Sequence, residues 1–89
     1  MARWELGGAE MASMAERQPN GESLFELGIV YATGREVEQN LVEAHKWFNL
    51  AAMRGNSEAA HHRQEIAREL SATDIARAQR EAREWLRTH

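Results

Sequence analysis

Residues 24–56 read LFELGIVYATGREVEQNLVEAHKWFNLAAMRGN, and this stretch decides the fold. Two apolar stretches with helical spacing are separated by a short polar segment. In the first stretch, the residues at i, i+3, i+4 and i+7 form one face of a helix. They are Leu24, Leu27, Gly28 and Tyr31. In the second stretch, the corresponding face consists of Leu41, Ala44, Phe48 and Ala51. The spacing predicts two short α-helices folded back on each other.

The boundaries of these two helices are marked by residues with known capping roles. Gly34 is predicted to end the first helix, because glycine adopts the left-handed backbone conformation without a Cβ clash. Asn40 is predicted to cap the second helix with its side-chain oxygen, and Gly55 to end it. Small residues at Gly28 and Ala44 stand opposite large ones, which is what close antiparallel packing requires.

This helical pair resembles the Sel-1-like repeat, a relative of the tetratricopeptide repeat. The matching positions are Ser23, Leu27-Gly28, Tyr31, Gly34, Val37, Asn40, Ala44, Trp47-Phe48, Ala51-Ala52 and Gly55. The family's second loop glycine is Glu36 in this chain. If Glu36 keeps a left-handed conformation, the cost is roughly 1–2 kcal/mol. Either the loop is strained or it has changed shape.

The rest of the chain is predicted to complete one small domain of 89 residues. Residues 1–21 form a lead-in, partly ordered or a short capping helix, in which residues 9–18 place Met11, Met14 and Ala15 on one side. Trp4 and Leu6 ahead of them could act as an anchor. The lead-in either covers the apolar face of the first repeat helix or docks on a neighbouring subunit. Residues 22–56 form the repeat.

Residues 57–89 are predicted to be a degenerate helical pair that acts as a cap. Ser57 is its expected first N-cap, and Ser71 with Asp74 has the spacing of a capping box. With an offset of 34 residues, the sequence NLVEA at 40–44 aligns with DIARA at 74–78. The last helix carries an apolar stripe that consists of Ile75, Ala78, Ala82, Trp85 and Leu86.

The expected fold class is therefore all-α: a tetratricopeptide-like, right-handed superhelical α/α repeat fragment of about four helices plus an N-terminal segment. Repeat arrays usually need about three units, because each unit leaves an apolar face for its neighbour. This chain has one clear unit and one degenerate unit. Self-association into a homodimer is therefore an open alternative.

Composition argues against several classes of partner. The net charge is -3, so no global basic field attracts nucleic acid. On the last helix the pairs Arg77–Glu81 and Arg80–Glu84 have i, i+4 spacing, which favours a solvated salt-bridged face over a phosphate-binding one. No stretch predicts membrane insertion, and no apolar run near the N-terminus predicts a secretory signal. With no cysteine, a cytoplasmic location is expected.

The sequence predicts neither a catalytic site nor a bound cofactor. The serines Ser23, Ser57 and Ser71 fall at predicted helix starts, where a hydroxyl caps a helix. His45 is expected to pack its ring beside the core and keep one nitrogen in water. His61 and Glu65 share an i, i+4 face, but structural or catalytic zinc takes three or four protein ligands. No metal site is predicted.

The resemblance implies an adaptor that holds partner proteins together, as relatives do in membrane-linked quality control or bacterial signalling. On the first helix, the side opposite the packed stripe carries Glu22, Glu26, Val30 and Thr33. An acidic rim around one apolar residue suits a basic or amphipathic peptide. The alternatives are a self-assembling structural subunit and, less favoured, a small metal-binding domain using His61, His62 and Glu65.

Overall fold

The computed structural model describes residues 20–89, and they form four α-helices. The helices are α1 (Gly21–Thr33), α2 (Leu41–Met53), α3 (Ser57–Ala67) and α4 (Ala72–Thr88). No strand occurs in this part of the chain. The all-α prediction with four helices is therefore confirmed. The predicted short helix at 9–18 and the Trp4 and Leu6 anchor lie outside the described residues.

Each helix begins with a polar side chain that accepts a hydrogen bond from a free backbone N–H. Asn40 accepts from the amide of Glu43, and Ser71 accepts from Asp74, both as predicted. The prediction that Ser57 caps α3 is wrong. Asn56 is the cap, with its Oδ1 2.8 Å from the Ala59 amide nitrogen, because its backbone is extended whereas Ser57 is already helical.

The first helix, α1, is capped by Asn20. Its Oδ1 accepts from the Ser23 amide at 2.8 Å, so Gly21 is the first residue of the helix. Gly21 is buried against the end of α2. A Cβ there would lie 3.2 Å from the carbonyl oxygens of Ala51 and Arg54. The first turn of α1 therefore lies close to the backbone at the end of α2.

The second helix, α2, is the centre of the fold. It packs against α1, α3 and α4, whereas α3 and α4 approach each other much less closely than either approaches α2. The buried core combines residues of all four helices and consists of Leu24, Ala44, Phe48, Leu50, Ala51, Ala59, Ala78 and Ala82. The last two helices therefore flank α2 instead of forming a closely packed hairpin of their own.

The contact between α1 and α2 depends on Gly28. A Cβ at this position would lie 2.5 Å from both Cδ1 and Cε1 of Phe48, so the phenyl ring lies directly on the α1 backbone. Phe48 is fully buried as a result. This confirms the predicted pairing of a small residue with a large one.

One residue of the predicted α1 stripe does not face the core. Leu27 is 39% exposed, whereas Phe25 is half-buried and packs against Phe48. Residues two apart on an α-helix point about 200° apart. The Phe25 side of α1 contacts the His62 ring of α3, and Leu27 lies on nearly the opposite side of the helix.

The loop after α1 keeps the left-handed geometry at Glu36. Gly34 has φ 75° and Glu36 has φ 68°, so a side chain occupies a conformation that favours glycine. The loop returns against α1, since the Asn40 amide donates to the Tyr31 carbonyl at 3.0 Å and Gln39 Nε2 donates to that of Ala32 at 2.8 Å. Of the two alternatives, the loop is strained rather than changed in shape.

Candidate protein-interaction surface

The outward face of α1, defined as Glu22, Glu26, Val30 and Thr33, points away from the packed stripe. Glu22, Glu26 and Thr33 are exposed and Val30 is half-buried. Their spacing of four, four and three residues keeps them on one side of the helix. They lie opposite Leu24 and Gly28, which face α2. The structure thus brings the four predicted residues together, and their role in binding a partner stays a prediction.

The charge of this outward face is partly balanced from the loop. Arg35 Nη2 lies 3.8 Å from Glu26 Oε1, and the two side chains are 58% and 63% exposed. An ion pair this long and this exposed is screened by water and contributes little. Glu22 lies in the first turn of α1, where a carboxylate is stabilised by the helix dipole. The sequence did not predict the Arg35 contact, because the loop fold places it.

Thr33 takes part in the helix itself. Its Oγ1 donates to the carbonyl of Ile29 at 2.7 Å, so the hydroxyl hydrogen is already used. The oxygen can still accept a hydrogen bond from a partner. Thr33 would therefore act as an acceptor at the C-terminal end of the outward face.

Three aromatic rings join α1, α2 and α3 beneath the candidate surface. The His62 ring stacks on Phe48 at a centroid distance of 5.3 Å and meets the edge of Phe25 at 5.2 Å. Phe25 and Phe48 are 5.7 Å apart. Such ring contacts stabilise beyond the area they bury. This cluster holds α1 and α3 in a fixed relation, and sequence spacing could not reveal it because the three rings come from three different helices.

The histidines on α3 divide between this cluster and the solvent. His61 Nε2 lies 3.4 Å from Glu65 Oε2, on the shared face that was predicted. His62 is committed to the aromatic cluster. Within residues 20–89, no group of three or more His, Cys, Asp or Glu side chains is placed to hold a metal ion. The metal-binding alternative therefore gains no support from the geometry.

His45 packs its ring in the core, as predicted. It is only 3% exposed, and its Nδ1 has no hydrogen-bond partner among the described residues. Burial, with a smaller effect from the charge of Arg63, lowers the pKa of His45 below its usual value. Arg63 Nη1 itself donates to Asn49 Oδ1 at 2.6 Å. His45 is therefore a buried ring whose surroundings disfavour its charged form.

Two tryptophans hold α4 against α2. The rings of Trp47 and Trp85 meet edge to face with centroids 5.8 Å apart. Trp47 Nε1 donates to Glu43 Oε2 at 3.1 Å, and Lys46 Nζ lies 4.3 Å from the centre of the Trp47 ring. The family signature predicted a packed tryptophan at position 47, but its aromatic partner comes from the last turns of the chain.

Charge pairing on α4 agrees with one prediction and contradicts another. Arg77 pairs with Glu81 at 3.2 Å, as its spacing indicated. Glu84 pairs with Arg87 at 2.9 Å, not with Arg80. Both spacings are within reach on a helix, so sequence alone could not choose between them. The surface of α4 still alternates in charge.

The surface formed by residues 20–89 has no pocket. None of the four helices combines the length and the apolar character needed to cross a bilayer.

Comparison with known proteins agrees with the fold. No curated protein and no solved structure matches the chain. The family model described as Sel1 repeat matches residues 21–56. These bounds run from the first residue of α1 to the N-cap of α3. Repeats of this family are helical, tetratricopeptide-like units that generally mediate protein–protein interaction. The resemblance to the Sel-1-like repeat is thereby confirmed for residues 21–56, which form α1, the following loop and α2.

Proposed function

We propose that this chain is a non-catalytic adaptor that binds a protein or peptide partner on the outward face of α1. One observation carries the proposal: within the segment that matches the Sel1 repeat, this face is exposed and no described helix packs on it. The aromatic cluster beneath it fixes α1 on the rest of the fold. A fixed, uncovered helix face limits the conformational cost of binding.

The partner that suits this face is a basic amphipathic segment. Glu22 and Glu26 supply negative charge, and Val30 supplies an apolar contact between them and Thr33. The weak pair with Arg35 leaves Glu26 able to exchange its partner for an incoming cation. Complementary charge at an exposed rim mainly raises the association rate and sets specificity.

Selection of displayed peptides against the purified chain tests the proposal. We expect enrichment of basic amphipathic sequences, with binding that weakens as salt rises, since exposed charges are screened over about 8–10 Å at moderate ionic strength. The variant Glu22→Lys/Glu26→Lys should lose these peptides. A matched variant, Glu69→Lys/Glu84→Lys, changes two exposed acids elsewhere and the net charge equally.

The two variants separate a specific face from general electrostatics. Retained binding by Glu69→Lys/Glu84→Lys together with loss by Glu22→Lys/Glu26→Lys would support the proposal. Equal loss in both variants would mean that only net charge matters. Enrichment that is indifferent to Glu22 and Glu26 would place the binding surface elsewhere and overturn this assignment.

A further inference from the structure

A second feature of α1 is an apolar flank, defined as Leu27, Tyr31 and Val37, which is separate from the outward face. Leu27 is 39% exposed and Val37 is 38% exposed, and both are among the few large apolar side chains so exposed in residues 20–89. Tyr31 is half-buried one turn after Leu27. The Val37 carbonyl oxygen lies 3.5 Å from where a Cβ on Gly34 would be, so the backbone at Val37 is close to the end of the helix.

No described helix covers this flank. The Phe25 side of α1 contacts α3 through the His62 ring. Leu27 is two residues from Phe25 and therefore lies on nearly the opposite side of the helix. The remaining helices all pack on α2.

We propose that residues 9–18 of the same chain pack on the apolar flank. This segment is joined to α1 only through Pro19 and Asn20, and Asn20 is the extended N-cap residue at which the chain enters the helix. Met11 and Met14 are three residues apart, which places both on one side of a helix. An antiparallel run about Asn20 would bring Met14 to within about one residue of the level of Leu27, and Met11 to within about two of Tyr31.

The chemistry and the size of the apolar flank favour this occupant over a second copy of the chain. Methionine side chains are flexible and adapt to irregular apolar surfaces such as one formed by a leucine, a tyrosine ring and a valine. A stable dimer usually buries about 1,200–2,000 Å² in total, and three partly exposed side chains supply far less. A tethered segment needs no such area, because a short linker keeps it at an effective concentration of millimolar order.

Disulfide trapping tests this packing, and the natural chain helps because it contains no cysteine. The test variant is Met14→Cys/Leu27→Cys, and the matched control is Met14→Cys/Glu22→Cys. Both Leu27 and Glu22 are exposed, so neither exchange opens the core, and thermal melting under reducing conditions checks that each variant folds. Each is oxidised at low concentration, and the rate of disulfide formation is followed by mass and by non-reducing electrophoresis.

The control position gives the opposite result if residues 9–18 move freely. Closure from position 14 to 22 spans a shorter loop than closure to 27, so an undocked segment should react at least as fast with Cys at 22. Packing on the apolar flank should make the 14–27 pair form an intramolecular disulfide at least about tenfold faster, because docking raises the local concentration. Equal or faster reaction at 22 would overturn the proposal.

A second outcome would also overturn it. If the 14–27 variant yields mainly disulfide-linked dimers, the apolar flank is covered by a second copy of the chain. The measurement involves neither a partner protein nor loss of charge at Glu26. Its result is therefore independent of the adaptor proposal.

Discussion

Replacing Gly28 by alanine sets helix propensity against packing, and the structure decides which effect is larger. In an exposed helix, Gly→Ala stabilises by about 1 kcal/mol. In α1 the added Cβ would lie 2.5 Å from two carbons of the Phe48 ring. Favourable carbon contacts lie at about 3.5–4.0 Å, so the ring has to move by roughly 1 Å. Phe48 cannot move freely, because it is fully buried and in contact with the rings of Phe25 and His62.

We expect packing to dominate this substitution. Overpacking of a tight core typically costs about 1–3 kcal/mol, and the confined Phe48 ring argues for the upper end. After the propensity gain is subtracted, Gly28→Ala should destabilise by about 1–2 kcal/mol. For a domain of this size, that corresponds to a fall in Tm of roughly 5–15 °C. Urea unfolding followed by circular dichroism, together with a thermal melt, measures both quantities.

The reasoning is checked by a double-mutant cycle with Phe48→Leu. The smaller side chain removes the overlap, so Gly28→Ala should cost much less in the Phe48→Leu background than in the natural chain. An unchanged cost in both backgrounds would show that the ring is not the obstacle. Stabilisation of the natural chain by Gly28→Ala would refute the packing argument altogether.

Three further predictions concern the loop, a cap and the buried histidine. Glu36→Gly should raise the free energy of unfolding by about 0.5–1 kcal/mol, because relief of the left-handed strain exceeds the entropy cost of glycine. Glu38→Gly, the control, should not raise it in the same urea titration. Asn56→Ala should cost about 1–2 kcal/mol in that titration and Ser57→Ala close to nothing, and a reversed order would restore Ser57 as the cap. Because the folded state lowers the pKa of His45 below 6.5, the unfolded state takes up this proton first as pH falls. Stability should therefore be retained above pH 6.5 and decline below it, more steeply than in His45→Leu; parallel stability–pH curves would contradict the assignment.

Local capping signals carried much of the correct prediction. Gly34, Asn40 and Ser71 were placed at their helix ends because left-handed glycine and side-chain acceptors act within one turn of the chain. The misplaced cap at Ser57 shows the limit of this signal. Asn56 and Ser57 are both good capping residues, and the choice depends on where the backbone becomes helical.

Predictions about faces were less complete, because a helix has more than one side to bury. The stripe through Leu24 and Gly28 was correct, yet Leu27 was assigned to it although it is exposed. Periodicity gives the direction of greatest burial, and the width of the buried arc depends on which neighbours pack alongside. The four residues of the outward face were placed together correctly in space, but the proximity of Arg35 to Glu26 required the loop conformation.

The sequence by itself determined that residues 20–89 form four helices and that residues 21–56 resemble a Sel1 repeat. These features depend on interactions a few residues apart, such as capping, periodicity and the small–large pairing of Gly28 with Phe48. The packing of α3 and α4 on α2 and the contact of Trp47 with Trp85 became visible only in the folded chain. Contacts between distant residues depend on the angles at which helices pack, and side chains on all the elements set those angles together.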